Sequence, residues 1–367
     1  MNKEIAIIGL GLIGGSLGKA LKKKRPEYKV IGIDVKPEII EMAKQLGIID
    51  EGTTNVEEGV RSAGLIFLAI PIQAMPQVCQ TMRPHLQEGA IITDVCSTKV
   101  NVLQLMEEIL PSTVYYVGGH PMAGSEKWGL EGVDELLFEN AVYILTPLNT
   151  TNDKAVELVK STVESLGAKV VYLTPAEHDQ KVAAVSHLPH IIASALMNMV
   201  GNLENQKAGY FPLAAGGLRD TTRIAASNSE LWCGILLQND QAVLPLIREF
   251  KKSLNEFERA IKRQSPKTLN KLLLKARLWR CKLPTGMKSI LPQLFELNVT
   301  VPDRPGMIGE ISSLLGQYSI NIIDIEVLRV REGEEGAIRL GFLEEDAKEK
   351  ALLILEQHGF KARKSGI

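Results

Sequence analysis

Gly9-Leu10-Gly11-Leu12-Ile13-Gly14 follows the apolar run Glu4-Ile5-Ala6-Ile7-Ile8 and opens a helical stretch reaching about Lys24. In such a turn the first glycine makes the tight bend. The second lets the backbone approach a pyrophosphate, and the third lets helix and strand pack closely. A second strand, Lys29-Val30-Ile31-Gly32-Ile33, ends in Asp34, 25 residues after Gly9. That is near the spacing of the acid that holds a ribose diol. The pattern predicts a dinucleotide site formed by Gly9, Gly11, Leu12, Ile13, Gly14 and Asp34. A carboxylate accepts from two ribose hydroxyls and repels a 2′-phosphate, so NAD is favoured over NADP, with Lys36 able to offset part of the repulsion.

The 367 residues suffice for two or three domains, each with its own core. Lysine and arginine number 42 against 43 aspartate and glutamate, which makes no electrostatic case for nucleic acid or an anionic membrane. Cys79, Cys96, Cys233 and Cys281 are far apart and show no metal-ligand spacing, so a reduced compartment and no metal are expected. Met1 to Glu4 run straight into the first strand, which reads as lacking a signal peptide, and no apolar run approaches a membrane span. The cytoplasm is the expected location.

Near-continuous apolar runs at 65–70, 90–94, 114–117 and 141–145 suit strands covered on both faces. With the first two they predict an open, mostly parallel α/β sheet over residues 1–172, closed by a helix from Lys154 to Leu166 and a strand at 169–172. From Thr174 the pattern becomes helical, over 179–201, 231–263 and 266–280, with Thr174 as cap and Pro175 at the first helical position. This all-helical stretch, 173–283, is too apolar to stand alone, for instance at Ile191-Ile192-Ala193 and Ala195-Leu196-Met197, and a dimer interface is expected there. Pro284, Gly286 and Pro292 mark a linker over 284–293. Residues 294–367 then read strand, helix, strand, strand, helix, strand, a ferredoxin-like α+β unit. Its loop Val301-Pro302-Asp303-Arg304-Pro305-Gly306 leads into a helix whose amides suit an amino-acid carboxylate.

Open α/β sheets bind ligands beyond the carboxyl ends of their strands, so reactive groups should follow strands. His120 follows the run ending at Val117 and is the best general base, because a neutral imidazole accepts a hydroxyl proton near pH 7. Ser97 follows the run ending at Asp94, with Lys99 two residues on; it suits holding His120 in one tautomer, touching the nicotinamide amide, or capping the helix over 100–110. His187 and His190 are three apart on a helix that Pro189 perturbs by freeing the carbonyl of Val185. No third ligand is spaced with them for a metal. Arg223 or Arg219 reads as an anchor for an acidic substrate, although Asp220 can instead pair with one of them on the surface.

Taken together, the Gly9 to Ser16 loop, Asp94-Val95-Cys96-Ser97-Thr98-Lys99, His120-Pro121-Met122-Ala123-Gly124-Ser125-Glu126, Ser186-His187-Leu188-Pro189-His190 and Arg219-Asp220-Thr221-Thr222-Arg223 resemble the prephenate dehydrogenase family of tyrosine biosynthesis, with a C-terminal ACT regulatory domain. The resemblance implies a Rossmann-like NAD domain, a helical substrate and dimerisation domain, and an ACT domain. It implies that His120 accepts the ring hydroxyl proton and that Ser97, beside the cofactor, orients it. His190 and Arg223 are implied to hold prephenate, with Ser125 and Glu126 near the pocket mouth and Trp232 close to Arg223. Arg219 falls where relatives often carry lysine. Tyrosine is the implied effector. Three alternatives remain open: an arogenate dehydrogenase, an NAD-dependent hydroxy-acid dehydrogenase, which leaves the ACT unit unexplained, and a non-catalytic sensor, which has no use for a proton acceptor.

Overall fold

A computed structural model describes residues 3–124, 129–148, 150–283, 294–302, 304–328 and 336–364. It divides into two compact units, Met1–Cys281 and Lys282–Ile367. The first contains an eight-stranded sheet of β1 (Glu4–Ile8), β2 (Lys29–Ile33), β3 (Glu51–Thr53), β4 (Leu65–Leu68), β5 (Ile91–Asp94), β6 (Tyr115–Pro121), β7 (Val142–Thr146) and β8 (Lys169–Tyr172). Their order is β3-β2-β1-β4-β5-β6-β7-β8. Every pairing is parallel except β6 with β7. Helices α1 (Leu12–Lys24), α2 (Pro37–Gln45), α3 (Val56–Val60), α4 (Met75–Met82), α5 (Val100–Ile109) and α6 (Asp153–Ser165) connect the strands. Ile5 and Ile7 of β1 join one buried cluster with Leu17, Phe67 and Tyr143, while Ala6 and Ile8 join another with Ile66, Met82 and Ile92. Successive residues of a strand point to opposite faces, so a sheet buried on both sides reads as an unbroken apolar run.

Three details differ from the sequence expectation. β3 went unforeseen, because three residues around a glycine carry no periodicity. The run expected over 65–70 pairs only as far as Leu68. β6, expected to end at Val117, continues to Pro121 by changing partner: Tyr115 to Val117 pair with β5 in parallel, and Gly118 to Pro121 pair with β7 antiparallel. His120 is therefore a strand residue opposite Ile144, not a loop residue. The change of partner requires small residues. A Cβ at Gly118 would lie 2.3 Å from Thr146 Oγ1, and one at Gly119 would lie 2.6 Å from the Asp94 carbonyl oxygen.

The helical part begins where expected. Thr174 and Glu177 form a reciprocal capping box around Pro175 at the start of α7 (Pro175–Val182). A π turn over Ala183–His187 follows, then α8 (Leu188–Gln206), α9 (Gly216–Thr222), α10 (Ser229–Gln238), α11 (Asp240–Lys262) and α12 (Pro266–Arg280). Pro189 has no N–H, and the ladder ahead of it shifts register, with Leu188 N donating to Ala183 O. The single helix expected over 231–263 is interrupted at Asn239, whose buried side chain serves the network described below. The stretch Pro175–Gln206 is by length and composition apolar enough to cross a membrane, contrary to the expectation that no run approaches a span. It also carries the buried polar residues His178, Asp179, His187 and His190.

In the second unit β9 (Phe295–Val301), β10 (Asp324–Leu328), β11 (Gly336–Phe342) and β12 (Lys361–Lys364) form an antiparallel sheet in the order β10-β11-β9-β12. Helices α13 (Met307–Gln317) and α14 (Glu345–Gln357) contribute Ile311, Leu315 and Leu355 to a core with Leu297, Val299, Leu340 and Phe342. The order is the ferredoxin-like one expected, although β10 starts later than residue 320. The expected linker, 284–293, and Asp303 lie outside the described residues.

Candidate active site

β1 and β4 lie side by side, and the chain leaves them for opposite edges of the sheet. A crevice at such a switch point is where open α/β sheets take ligands. The glycine turn lies there. Gly9 has φ +94°, and a Cβ on it would lie 2.4 Å from the Ala69 carbonyl oxygen at the end of β4; a Cβ on Gly14 would lie 1.9 Å from the Gly9 carbonyl oxygen. Nothing lies within 4 Å of a Cβ built on Gly11. Two glycines are thus demanded by packing, while the space beside the middle one is open. α1, which Leu12 and Ile13 begin, has no side-chain cap, so its first amides remain available to an anion. The Asp34 carboxylate accepts from Leu10 N at 3.0 Å and Lys36 N at 3.1 Å, which holds it at the tip of β2 beside this turn. The donor set and the open space fit a dinucleotide with a free ribose diol.

Asp94, at the end of β5, is fully buried and spends both oxygens. One accepts from the Lys99 ammonium and from Cys96 N, the other from Tyr116 OH at 2.7 Å and Gly119 N at 3.2 Å. Lys99 is itself 1% exposed. A buried ion pair persists when such hydrogen bonds satisfy its remaining lone pairs. Here they fix the backbone of Gly119, the residue before His120. Burial, then the charge of Asp94, pushes the Cys96 thiol up to about 12, which removes it as a nucleophile.

His120 is buried. Its Nδ1 lies 2.8 Å from Nε2 of His178, and Nδ1 of His178 lies 2.7 Å from Oδ1 of Asp179. Asp179 also accepts from Lys99 N at 2.8 Å and Val100 N at 2.9 Å, so it caps α5 from the far side of the cleft. The capping role considered for Ser97 thus falls to a carboxylate, a stronger acceptor than a hydroxyl. Burial, then His178 and Lys99, holds the His120 imidazole well below its ordinary value, so it is neutral at pH 7.

Asn239, at the break between α10 and α11, donates to the Asp179 carbonyl at 2.9 Å and lies 3.1 Å from His187 Nδ1. His187 meets the Trp232 ring edge-on, and His190 stacks on its face at 3.6 Å between centroids. The stacking leaves the buried Nδ1 of His190 without a partner among the described residues. Unsatisfied buried polar atoms are rare, and in a cleft they suit a ligand. Two contacts seat α10 against the sheet unit: Asn101 Nδ2 donates to Gln238 O and Oε1 at 2.8 Å, and a Cβ on Gly234 would lie 2.1 Å from Gln73 Nε2.

The structure therefore brings together His120, His190 and Trp232 through His178, Asp179, Asn239 and His187. His178, Asp179 and Asn239 went unnoticed in the sequence. The adjacent His-Asp pair lies among Glu177, Gln180 and Lys181, so in the sequence it reads as one more polar turn of a solvated helix. Ser97 is half-buried and makes no hydrogen bond among the described residues; the side chain bonded to His120 is His178. Arg219 is exposed. Arg223 begins a helical turn, Arg223–Ala226, that packs on α8. Ser125 and Glu126 lie outside the described residues.

Three family models match the chain in succession: prephenate dehydrogenase, nucleotide-binding domain, over residues 17–172; prephenate dehydrogenase, dimerization domain, over 174–275; and ACT domain over 295–357. A prephenate dehydrogenase of Bacillus subtilis is 36% identical over 97% of this chain and 96% of its own. Among solved structures, prephenate dehydrogenase from A. aeolicus, in complex with hydroxyphenyl propionate and NAD+, is 35% identical with a TM-score of 0.72, covering 77% of this chain and 98% of its own. An arogenate dehydrogenase from Synechocystis is 33% identical with a TM-score of 0.66, covering 76% of this chain and 99% of its own.

Proposed function

Because the chain belongs to the prephenate dehydrogenase family, we propose that it oxidises and decarboxylates prephenate with NAD to 4-hydroxyphenylpyruvate, carbon dioxide and NADH, with His120 taking the ring hydroxyl proton. The observation that carries the reading is the buried, neutral His120, with one ring nitrogen engaged, at the carboxyl-end edge of the same sheet as the glycine cradle. NAD, when bound, supplies the hydride acceptor. His120 Nε2 takes the hydroxyl proton as the carbon–oxygen bond becomes a carbonyl, which separates the proton from the hydride at the same carbon. Loss of carbon dioxide then sends its bonding electrons into the ring. The proton held on His120 returns to the phenolic oxygen, so no base is consumed.

Prephenate is a dianion. The unpartnered His190 Nδ1 and the Arg223 guanidinium are the groups we assign to its carboxylate and pyruvyl ends, with Trp232 as the wall that orients His190. Arg219, Ser125 and Glu126 complete the proposed pocket rim, and Ser97 the nicotinamide contact. The amino group of arogenate would gain nothing from an added cation, so prephenate is the preferred substrate. Exposed apolar side chains on α8, α11 and α12, among them Met199, Leu203, Leu254, Leu273 and Trp279, support a homodimer through the helical part. The ACT unit supports tyrosine as feedback effector. The substrate and the charge-neutral composition fit the cytoplasm.

The test is NADH formation with prephenate or arogenate, NAD or NADP, with and without tyrosine. Turnover of prephenate with NAD is expected, and His120→Asn should lower kcat by about 10² to 10⁴ while NAD binds as before. Turnover of arogenate alone would move the error to His190 and Arg223, and an unchanged kcat in His120→Asn would remove it from the mechanism.

A further inference from the structure

A histidine serves as base only in the tautomer whose free nitrogen faces the proton, and the partners of His120 determine that tautomer. An ionised carboxylate can only accept, so the 2.7 Å contact with Asp179 Oδ1 places the proton of His178 on Nδ1. His178, fully buried and neutral, then has a bare Nε2. The 2.8 Å contact from that nitrogen requires the proton on Nδ1 of His120. Nε2 of His120 makes no hydrogen bond among the described residues and keeps its lone pair. Asp179 is held at the start of this chain by the amides of Lys99 and Val100, at the N-terminus of α5, which donate to its two oxygens.

We propose that His178 and Asp179 are positioning residues that lock His120 as the Nδ1–H tautomer, with Nε2 as the proton acceptor, and that they stabilise the imidazolium formed when the hydroxyl proton arrives. The inference rests on reading His120 as that acceptor. In the step the substrate O–H bond breaks and an N–H bond forms on Nε2. The protons on Nδ1 of both histidines stay where they are, and their hydrogen bonds strengthen as His120 becomes charged. Asp179 has a second consequence: the same carboxylate caps a helix that follows β5 of the sheet, so it registers the helical part against the nucleotide part at the reacting atom.

The experiment has a spectroscopic arm and a kinetic arm, both on the full chain. Imidazole ¹⁵N NMR with His120→Asn as the assignment control should show His120 protonated at Nδ1; protonation at Nε2 in the resting protein overturns the proposal. In the kinetic arm, Asp179→Asn removes the negative charge that stabilises the imidazolium and sets an amide NH2 against a backbone N–H of α5, and should lower kcat by about 10² or more, with KM for prephenate and Kd for NAD within about threefold. His178→Gln keeps an acceptor for His120 Nδ1 and leaves the bonds of Asp179 to α5 intact. It should retain at least about tenfold more activity than His178→Leu. Equal activities of the Gln and Leu variants, or a kcat within threefold of the parent in Asp179→Asn, would sink the proposal. Full activity in His120→Asn would instead locate the failure in the acceptor role of His120.

Discussion

Single residues carry the chemistry here through what surrounds them. Asp34, the proposed ribose acceptor, is held in a fixed geometry by two backbone amides. Asp34→Ala should raise the ratio of kcat/KM for NADP over NAD by about 10- to 100-fold, since one or two hydrogen bonds to a charged group are lost along with the repulsion. Steady-state kinetics with both cofactors checks this. Burial draws the His187 pKa down to about 4, and burial lowers those of His178 and His190 as well. Between pH 6.5 and about 4 the unfolded chain thus binds protons that the folded chain refuses. Stability is complete above about pH 6.5 and falls as the pH drops towards 4. Denaturant midpoints measured across that window should fall with pH, and His187→Asn should flatten the dependence. Of these residues, His120, His190 and Asp34 were legible as strand-end or motif positions. His178 and Asp179 were not, because their meaning lies in contacts across 58 residues of chain for the first and 79 and 80 for the second.

At the scale of elements, start signals proved readable and interruptions did not. The capping box at Thr174 is entirely local, so its three-residue spacing announces it. Thr174→Ala should cost about 1 kcal/mol and lower Tm by about 2–4 °C, seen in a thermal melt. The glycines of α1 were equally legible: Gly14→Ala would set a methyl against the Gly9 carbonyl and should weaken both folding and NAD binding. The change of partner in β6 was hidden, since Gly118 and Gly119 resemble any glycine loop until β7 lies alongside. The break at Asn239 was hidden for the same reason. Its side chain bonds Asp179 and His187, and neither is near it in sequence.

For the whole molecule, the division after Cys281 leaves the proposed pocket residues in the first unit and the ACT match in the second. A chain truncated after Cys281 should still form NADH from prephenate and lose its response to tyrosine; inhibition surviving truncation would place the effector site in the first unit. Allostery needs two states with different ligand contacts, and the pair of inhibited and uninhibited rates reports them. The sequence by itself determined most strands of the sheet, the glycine turn with its acid, the capped helical part and the ferredoxin-like order of the second unit. Each of these is written in local periodicity or in spacing along one strand or helix. Only the tertiary structure decided that His120 is a strand residue, that His178 and Asp179 choose its tautomer, and that Trp232 stacks on His190. Those outcomes depend on side chains brought together from distant positions, and pairing at a distance leaves no mark on any one stretch of chain.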